Sequence, residues 1–172
     1  DLITIKERKG YLKNVKVVYI GIHNNVCNSL IEGCTKTGVQ ITTICPIFNE
    51  ASRDEVLLED AKKTGLWTST LDARKAVNGA DFVYTDTWID MEFFTDPTFA
   101  QEKEKRLKQM MPYQINIDLL KESNAYIMHD MPIHRGYEIT SELVESPKAI
   151  IYEQAENRLY SAKAILIKLL ES

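Results

Sequence analysis

The stretch "VKVVYIG", residues 15–21, decides the fold class of this chain. A short run of β-branched and apolar residues that ends at a glycine is typical of a strand buried on both faces. The next segment, "NVCNSLIEGCTKTG" (25–38), has the spacing of a helix that ends at Gly38, and "VQITTIC" (39–45) is a second apolar run. Strand, helix and strand in this order indicate a parallel sheet with a helix as the crossover.

The same alternation continues to the end of the chain. Further strands are predicted over "ADFVYTD" (80–86), "AYIMHD" (125–130) and "KAIIYEQ" (148–154). Helices are predicted over 51–65 with Ser52 as N-cap, and over 97–111, 116–123 and 155–172. The sequence therefore predicts one α/β domain over residues 1–172. We expect a Rossmann-like, three-layer architecture with a central parallel sheet flanked by helices.

Composition excludes several classes of partner. The 172 residues are 44% hydrophobic and 27% charged, with a formal net charge of −4 and no basic cluster, so we expect no nucleic-acid partner. No apolar run approaches the ~20 residues of a membrane span, and the charged first residues do not form a signal peptide, so no membrane partner is expected. The three cysteines lack metal-like spacing, which favours reduced thiols and a cytoplasmic protein. Cys27 and Cys34 are two helical turns apart and are expected on one buried face.

Ligands of parallel α/β sheets bind at the carboxyl ends of the strands. The segments after the predicted strands are polar: "GIHNN" (21–25), "CPIFNE" (45–50), "TDTWIDME" (85–92) and "HDMPIHRG" (129–136). The first has a single glycine, which argues against a dinucleotide-binding loop. From these residues alone, Asn24 and Asn25 are either helix caps or an anion site, and Asp86 is either a functional acid or a solvated one. His129 is likewise either a structural or a catalytic histidine.

Arg158 lies near the start of the predicted last helix, where a cation opposes the helix dipole. That position predicts either an acidic neighbour such as Glu156 or a bound anion.

Four segments in this order resemble the C-terminal half of the ornithine/aspartate carbamoyltransferase family, most closely its ornithine branch: "NNVCNSL" (24–30), "GADFVYTDTWIDM" (79–91), "HDMPIHRGYEIT" (129–140) and "YEQAENRLYSAKAIL" (152–166). The resemblance implies transfer of a carbamoyl group from carbamoyl phosphate to an amine by direct attack, without a cofactor or a metal. It identifies the chain as the amine-acceptor domain. The N-terminal carbamoyl-phosphate domain, with its Ser-Thr-Arg-Thr-Arg and His-Pro-Thr-Gln motifs, is absent from this chain, so we expect the chain alone to be inactive and the full-length protein to be a homotrimer.

The resemblance also assigns roles. Asn25 would hold polar groups of the acceptor, Asp86 would pair with its α-ammonium, and Met91 would lie on a mobile acceptor loop. The carbonyls of Asp130 and Met131, before a cis Pro132, would orient the amines, and Arg158 would reach the carbamoyl oxygen. The predicted catalytic residues are Arg158, His129, Asp130 and Met131, and the predicted substrate-binding residues are Asn25, Asp86, Asp90, Met91 and Pro132.

Two departures from the family pattern add acids. The ornithine branch has His-Cys-Leu-Pro where this chain has residues 129–132, and Ser-Met-Gly where it has Asp90, Met91 and Glu92. Two like charges ~4 Å apart cost about 4 kcal/mol at an effective dielectric near 20. A pocket that held Asp86, Asp90 and Asp130 together would therefore favour a cationic amine without a free carboxylate, such as a diamine, over ornithine.

Other interpretations stay open at this point. The acids at 90 and 92 could face solvent and leave the acceptor unchanged. The chain could also be a non-catalytic module of the same fold that binds or senses a small molecule, or a generic nucleotide-binding domain.

Overall fold

The computed structural model describes residues 1–89 and 97–171. Its strands are β1 (Lys16–Ile20), β2 (Gln40–Ile44), β3 (Trp67–Ser69), β4 (Phe82–Thr85) and β5 (Tyr126–His129). Its helices are α1 (Leu2–Lys9), α2 (Asn25–Thr37), α3 (Glu55–Lys63), α4 (Ala73–Val77), α5 (Ala100–Met110), α6 (Ser141–Val144) and α7 (Ile151–Leu170). Single 3-10 turns cover Glu50–Ser52, Pro97–Phe99 and Met111–Tyr113.

The strands of the described residues form one parallel sheet in the order β3-β2-β1-β4-β5. Ile20 pairs with Ile44 and with Thr85, and Thr85 pairs with His129. This register brings the carboxyl ends of β1, β2, β4 and β5 to one edge of the sheet. The predicted parallel sheet is confirmed, and the residues after β4 and β5 lie at the same end, as expected.

Alternate residues of the central strand face opposite layers of helices. Val17 and Tyr19 belong to a cluster with Leu30 and Ile31 of α2, whereas Val18 and Ile20 pack into a second cluster that is built partly on α4 and α6. A strand whose side chains are buried on both faces must be apolar throughout, which explains the unbroken run that marks β1 in the sequence. The three-layer architecture is thus confirmed.

The C-terminal region differs from the prediction. The strand predicted over 148–154 is absent: Ala149 makes one isolated bridge to Ile127, and α7 begins at Ile151. The buried residues of α7 are Ile151, Gln154 and Asn157, which recur with helical spacing. The helix itself was predicted, over 155–172, but it begins four residues earlier, and two of its three buried residues are amides that a hydrophobic pattern does not mark. Beyond Asn157 the helix is largely exposed although mostly apolar, with exposed side chains at Leu159, Ile165, Leu166, Ile167, Leu169 and Leu170.

Two smaller predictions are also wrong. Ser52 does not cap a helix; α3 begins three residues later, where the Asp54 carboxylate accepts a hydrogen bond from the Leu57 N–H at 3.0 Å. Residues 116–123 form turns instead of a helix, although the Asn116 side chain accepts the Leu119 N–H at 2.9 Å as an N-cap would. By contrast, α2 ends as predicted at Gly38, whose φ of 81° is favourable for glycine. In the described part of the chain, every helix is too short or too polar to cross a membrane.

Candidate functional site

A cleft of about 350 Å³ opens at the carboxyl edge of the sheet, between the first turn of α2, the end of β5 and the middle of α7. Four of the predicted site residues line it: Asn25, His129, Asp130 and Arg158. Tyr84 of β4 and Gln154 of α7 complete its polar wall. Residues far apart in the sequence therefore meet where a parallel α/β sheet is expected to bind a ligand.

Asp86 is fixed beside this cleft by the start of α2. The side chain of Asn24 caps the helix by accepting the Cys27 N–H at 3.1 Å, and its Nδ2 donates to Asp86 Oδ2 at 2.6 Å. The other oxygen of Asp86 accepts the Thr87 N–H at 2.6 Å. Asp86 is 7% exposed, so it is held as a nearly buried acid and not as a solvated loop residue.

Asp86 and Asp130 form a close pair of acids. Burial raises the pKa of Asp130 to about 7, and the charge of Asp86 and a hydrogen bond between the two side chains act in the same direction. A proton shared between two carboxyl groups relieves their repulsion, as in other sites where paired acids differ in protonation. A bound ammonium group could replace that proton, so this pair is suited to a cationic ligand.

His129 is buried completely, and both of its ring nitrogens have partners inside the protein. Nδ1 accepts the Met131 N–H at 2.9 Å, so Nε2 carries the proton and donates to Glu138 Oε1 at 3.1 Å. This geometry favours the structural interpretation of His129. It orients the turn that carries Asp130 and has no free nitrogen for a substrate.

The turn after β5 has unusual backbone geometry. The Met131–Pro132 bond is cis, which confirms the prediction, and Met131 has a φ of 59°. Both side chains are exposed, and the Thr87 hydroxyl donates to the Pro132 carbonyl at 2.8 Å. That hydrogen bond ties the turn to the loop that follows Asp86. A positive φ at a residue other than glycine is uncommon and occurs often at binding sites.

Arg158 faces the cleft but does not lie near a helix terminus. Because α7 begins at Ile151, Arg158 is two turns inside it, and the dipole argument made from the sequence is wrong. Glu156, the suggested partner, instead accepts the Tyr160 hydroxyl at 3.0 Å. The positive charge of Arg158 opposes the rise in the pKa of Asp130, which places the two groups in electrostatic contact.

The remaining predicted residues, Asp90 and Met91, lie outside the described residues, as does Glu92. Of the three acids that were predicted to share one pocket, Asp130 lines the cleft and Asp86 is in contact with Asp130.

Two supporting residues were missed from the sequence. Gln154 accepts the His129 N–H at 2.9 Å and donates to the Asp1 carboxylate at 2.7 Å, while the buried Glu138 carboxylate accepts from His129. In the sequence, a polar residue that becomes buried looks the same as its exposed polar neighbours, so the local pattern could not identify either residue. Trp88, which also follows β4, packs in a core cluster with Ile22, Ile89 and Met110.

Comparison with known proteins gives a consistent result. The family model for the aspartate/ornithine carbamoyltransferase Asp/Orn binding domain matches residues 13–169. The chain is 39% identical to ornithine carbamoyltransferase from Pyrococcus horikoshii, over 99% of the chain and 53% of that protein. It is also 39% identical to ornithine carbamoyltransferase from Bacillus cereus, over 100% of the chain and 54% of that protein. The structure of ornithine carbamoyltransferase from Pyrococcus furiosus superposes with a TM-score of 0.82 at 38% identity, covering 96% of the chain and 53% of that structure.

The chain thus spans about half the length of the relatives that it matches. The family model, the relatives and the fold agree with the resemblance seen in the four sequence segments. The chain belongs to the aspartate/ornithine carbamoyltransferase family, and it corresponds to that family's Asp/Orn binding domain.

Proposed function

We propose that this chain is the amine-acceptor domain of a carbamoyltransferase, in which the full-length protein transfers the carbamoyl group of carbamoyl phosphate to an amine. The observation that carries the proposal is that Asn25, Asp130 and Arg158 line one cleft, with Asp86 in contact with Asp130, in a chain that matches the Asp/Orn binding domain. Carbamoyl phosphate would be held by a part of the full-length protein outside these 172 residues. In the same proposal, the full-length protein assembles as a homotrimer.

The cleft supports direct attack by the amine. In the proposed reaction the neutral amine nitrogen forms a bond to the carbamoyl carbon while negative charge develops on the carbamoyl oxygen. The bond from that carbon to the phosphate oxygen then breaks, and the leaving phosphate takes up the proton that the nitrogen loses. Asn25 and Asp86 hold polar and cationic groups of the acceptor, which aligns its nucleophilic nitrogen. Arg158 stabilises the negative oxygen. Asp130, with a pKa of about 7, is suited to take up a proton as the amine becomes neutral.

Ornithine is the first candidate acceptor, since the relatives named above are ornithine carbamoyltransferases. A second candidate follows from the acid pair. An ionised Asp130 beside Asp86 attracts a second cation and repels a carboxylate, which favours a diamine such as putrescine. The two candidates make opposite predictions for the effect of pH, because Asp130 loses its proton near neutrality.

The proposed activity is tested with the full-length protein, carbamoyl phosphate and a panel of amines, by measuring carbamoylated product and released phosphate. Asp86→Asn should lower kcat/KM for the preferred amine at least tenfold, about 1.4 kcal/mol. Asp60→Asn, which changes an exposed acid on α3 paired with Lys63, is the matched control and should leave kcat/KM unchanged. No product with any amine would support the non-catalytic binding module instead.

Acceptor choice is tested by the ratio of kcat/KM for putrescine to that for ornithine between pH 6 and pH 8. If the acid pair selects diamines, the ratio rises with pH in the wild type and is flat in Asp130→Cys. The double change Asp90→Ser with Asp130→Cys should shift the ratio towards ornithine by at least tenfold, about 1.4 kcal/mol. A wild type that prefers ornithine at every pH would exclude the diamine assignment and leave the transferase assignment intact.

A further inference from the structure

Two cysteine sulfurs and one histidine nitrogen meet on the side of α2 that faces away from the acceptor cleft. His23 follows β1, Cys27 lies in the first turn of α2, and Cys45 follows β2. Cys27 Sγ is 3.9 Å from Cys45 Sγ and 3.7 Å from His23 Nδ1, and all three ligand atoms lie within 4.8 Å of one another. His23 and Cys27 are buried, and Cys45 is partly buried.

The ring of His23 is oriented so that its Nδ1 faces the sulfurs. Asn28 Nδ2 donates to the Ser52 carbonyl at 2.7 Å, which fixes the amide and directs Asn28 Oδ1 towards His23 Nε2 at 2.8 Å. Since that oxygen can only accept, Nε2 carries the proton and Nδ1 is the nitrogen that can coordinate. A histidine that binds a metal commonly has its other ring nitrogen held by an oxygen in this way.

Two of the three distances between these atoms fit a tetrahedral ion, and the third, between His23 and Cys45, is no more than 4.8 Å. Zinc–sulfur bonds of about 2.3 Å and zinc–nitrogen bonds of about 2.0 Å at tetrahedral angles place two sulfurs ~3.8 Å apart and sulfur and nitrogen ~3.5 Å apart. The observed distances of 3.9 and 3.7 Å agree with those values to about 0.2 Å. We propose that His23, Cys27 and Cys45 bind Zn²⁺ or a similarly soft divalent ion, with the fourth position taken by water.

The protonation chemistry of the cluster is compatible with this site. A hydrogen bond from Cys27 lowers the pKa of the Cys45 thiol to about 7 against the effect of burial. Burial raises the pKa of Cys27, so binding must release a proton there and the affinity should increase with pH. Arg53 lies over Phe48, which stacks on His23, but Glu50 and Glu55 pair with that cation.

The site is distinct from the acceptor cleft but shares one element with it. The Cys27 N–H bonds to Asn24, and Asn24 bonds to Asp86. An ion held by Cys27 would therefore fix the same helix terminus that positions Asp86.

The test uses the reduced full-length protein and Zn²⁺ alone, with bound metal measured by mass spectrometry after desalting. We expect about one Zn²⁺ per chain in the wild type and loss of binding in Cys45→Ser and in His23→Gln. Cys34→Ser is the matched control, because Cys34 is another buried thiol of α2 and should leave one Zn²⁺ bound. Asn28→Ala should weaken binding by about 10- to 100-fold.

Substitution with Co²⁺ gives an independent readout, since thiolate ligands produce a sulfur-to-cobalt charge-transfer absorption that Cys45→Ser should reduce. Circular dichroism checks the fold of each variant, and if Cys45→Ser does not fold, His23→Gln decides the question. The proposal is wrong if the reduced wild type binds no Zn²⁺. It is equally wrong if Cys45→Ser and His23→Gln, folded, bind as much as the wild type, or if Cys34→Ser loses as much as they do.

Discussion

Replacing Asp130 by asparagine should remove a pH dependence from the stability of the protein. Burial raises the pKa of this carboxyl from an ordinary value of 3.8 to about 7, with Asp86 acting in the same direction. Because the pKa is higher in the folded state than in the unfolded state, the folded state binds the proton more tightly. The resulting stabilisation is complete below about pH 4 and is lost as the pH rises through 7.

The size of the effect follows from the shift. Each pH unit corresponds to about 1.4 kcal/mol, so the full shift of roughly three units sets a ceiling near 4 kcal/mol. Of the pH range between the two pKa values, 3.8 and about 7, about two pH units lie between pH 5 and pH 7. Since the Asp130 side chain is 27% exposed, solvent screening reduces the energy. We expect the wild type to lose about 2 kcal/mol from this group between pH 5 and pH 8.

The assay is urea unfolding of the wild type and of Asp130→Asn at pH 5 and at pH 8. The asparagine keeps a hydrogen-bond donor for Asp86 but cannot ionise, so the variant should gain about 2 kcal/mol relative to the wild type over this range. Asp60→Asn is the control for loss of an exposed acid and should stay within about 0.5 kcal/mol of the wild type at both values. Parallel pH profiles of the wild type and Asp130→Asn would refute the reasoning, because they would show that Asp130 is ionised throughout.

Two further predictions concern supporting residues. Glu138→Ala removes the acceptor of the buried His129 Nε2–H and should lower the free energy of unfolding by about 2–4 kcal/mol in denaturant titrations, whereas Glu138→Gln should retain most of it; equal losses in the two variants would contradict this account. Asn24→Ala and Asp54→Ala each remove a helix N-cap and should each cost about 1 kcal/mol of stability. Only Asn24→Ala also releases Asp86, so it alone should weaken amine binding, by at least tenfold in calorimetry; the same binding constant in both variants would disprove the link.

The fold could be predicted where burial on both faces leaves an unbroken apolar run. β1 and β4 are of this kind, and the helix between β1 and β2 is marked by its spacing and by Gly38. The prediction failed at "KAIIYEQ", where two adjacent isoleucines belong to different core clusters. Ile150 packs with the α2 layer and Ile151 with the opposite layer, so both are buried at the start of a helix. Such a pair has the same appearance as a short strand when contacts are unknown.

The site could be predicted in part for a similar reason. Polar residues after parallel strands must share an edge, which placed the segments after β4 and β5 at one end of the sheet, and the family resemblance then put Asp86 and Asp130 in one pocket. The role of Gln154 and the partners of His129 depend on long-range hydrogen bonds that no local pattern records. The cluster of His23, Cys27 and Cys45 was missed because its members come from two loops and a helix, whereas the sequence analysis only placed Cys27 and Cys34 on one buried helix face.

The amides on the buried face of α7 have a consequence for how the helix is held in place. Contacts between apolar side chains alone would allow a helix to shift along its axis or rotate about it. Asn157 donates hydrogen bonds to Thr4 at 3.1 Å and to Glu7 at 2.6 Å, and these directional contacts fix both the position of α7 along its axis and its rotation. Arg158 is the next residue along the helix, so the hydrogen bonds from Asn157 to Thr4 and Glu7 also fix where Arg158 lies relative to the cleft. Helix α1 therefore helps to position the Arg158 guanidinium through its hydrogen bonds to the neighbouring Asn157.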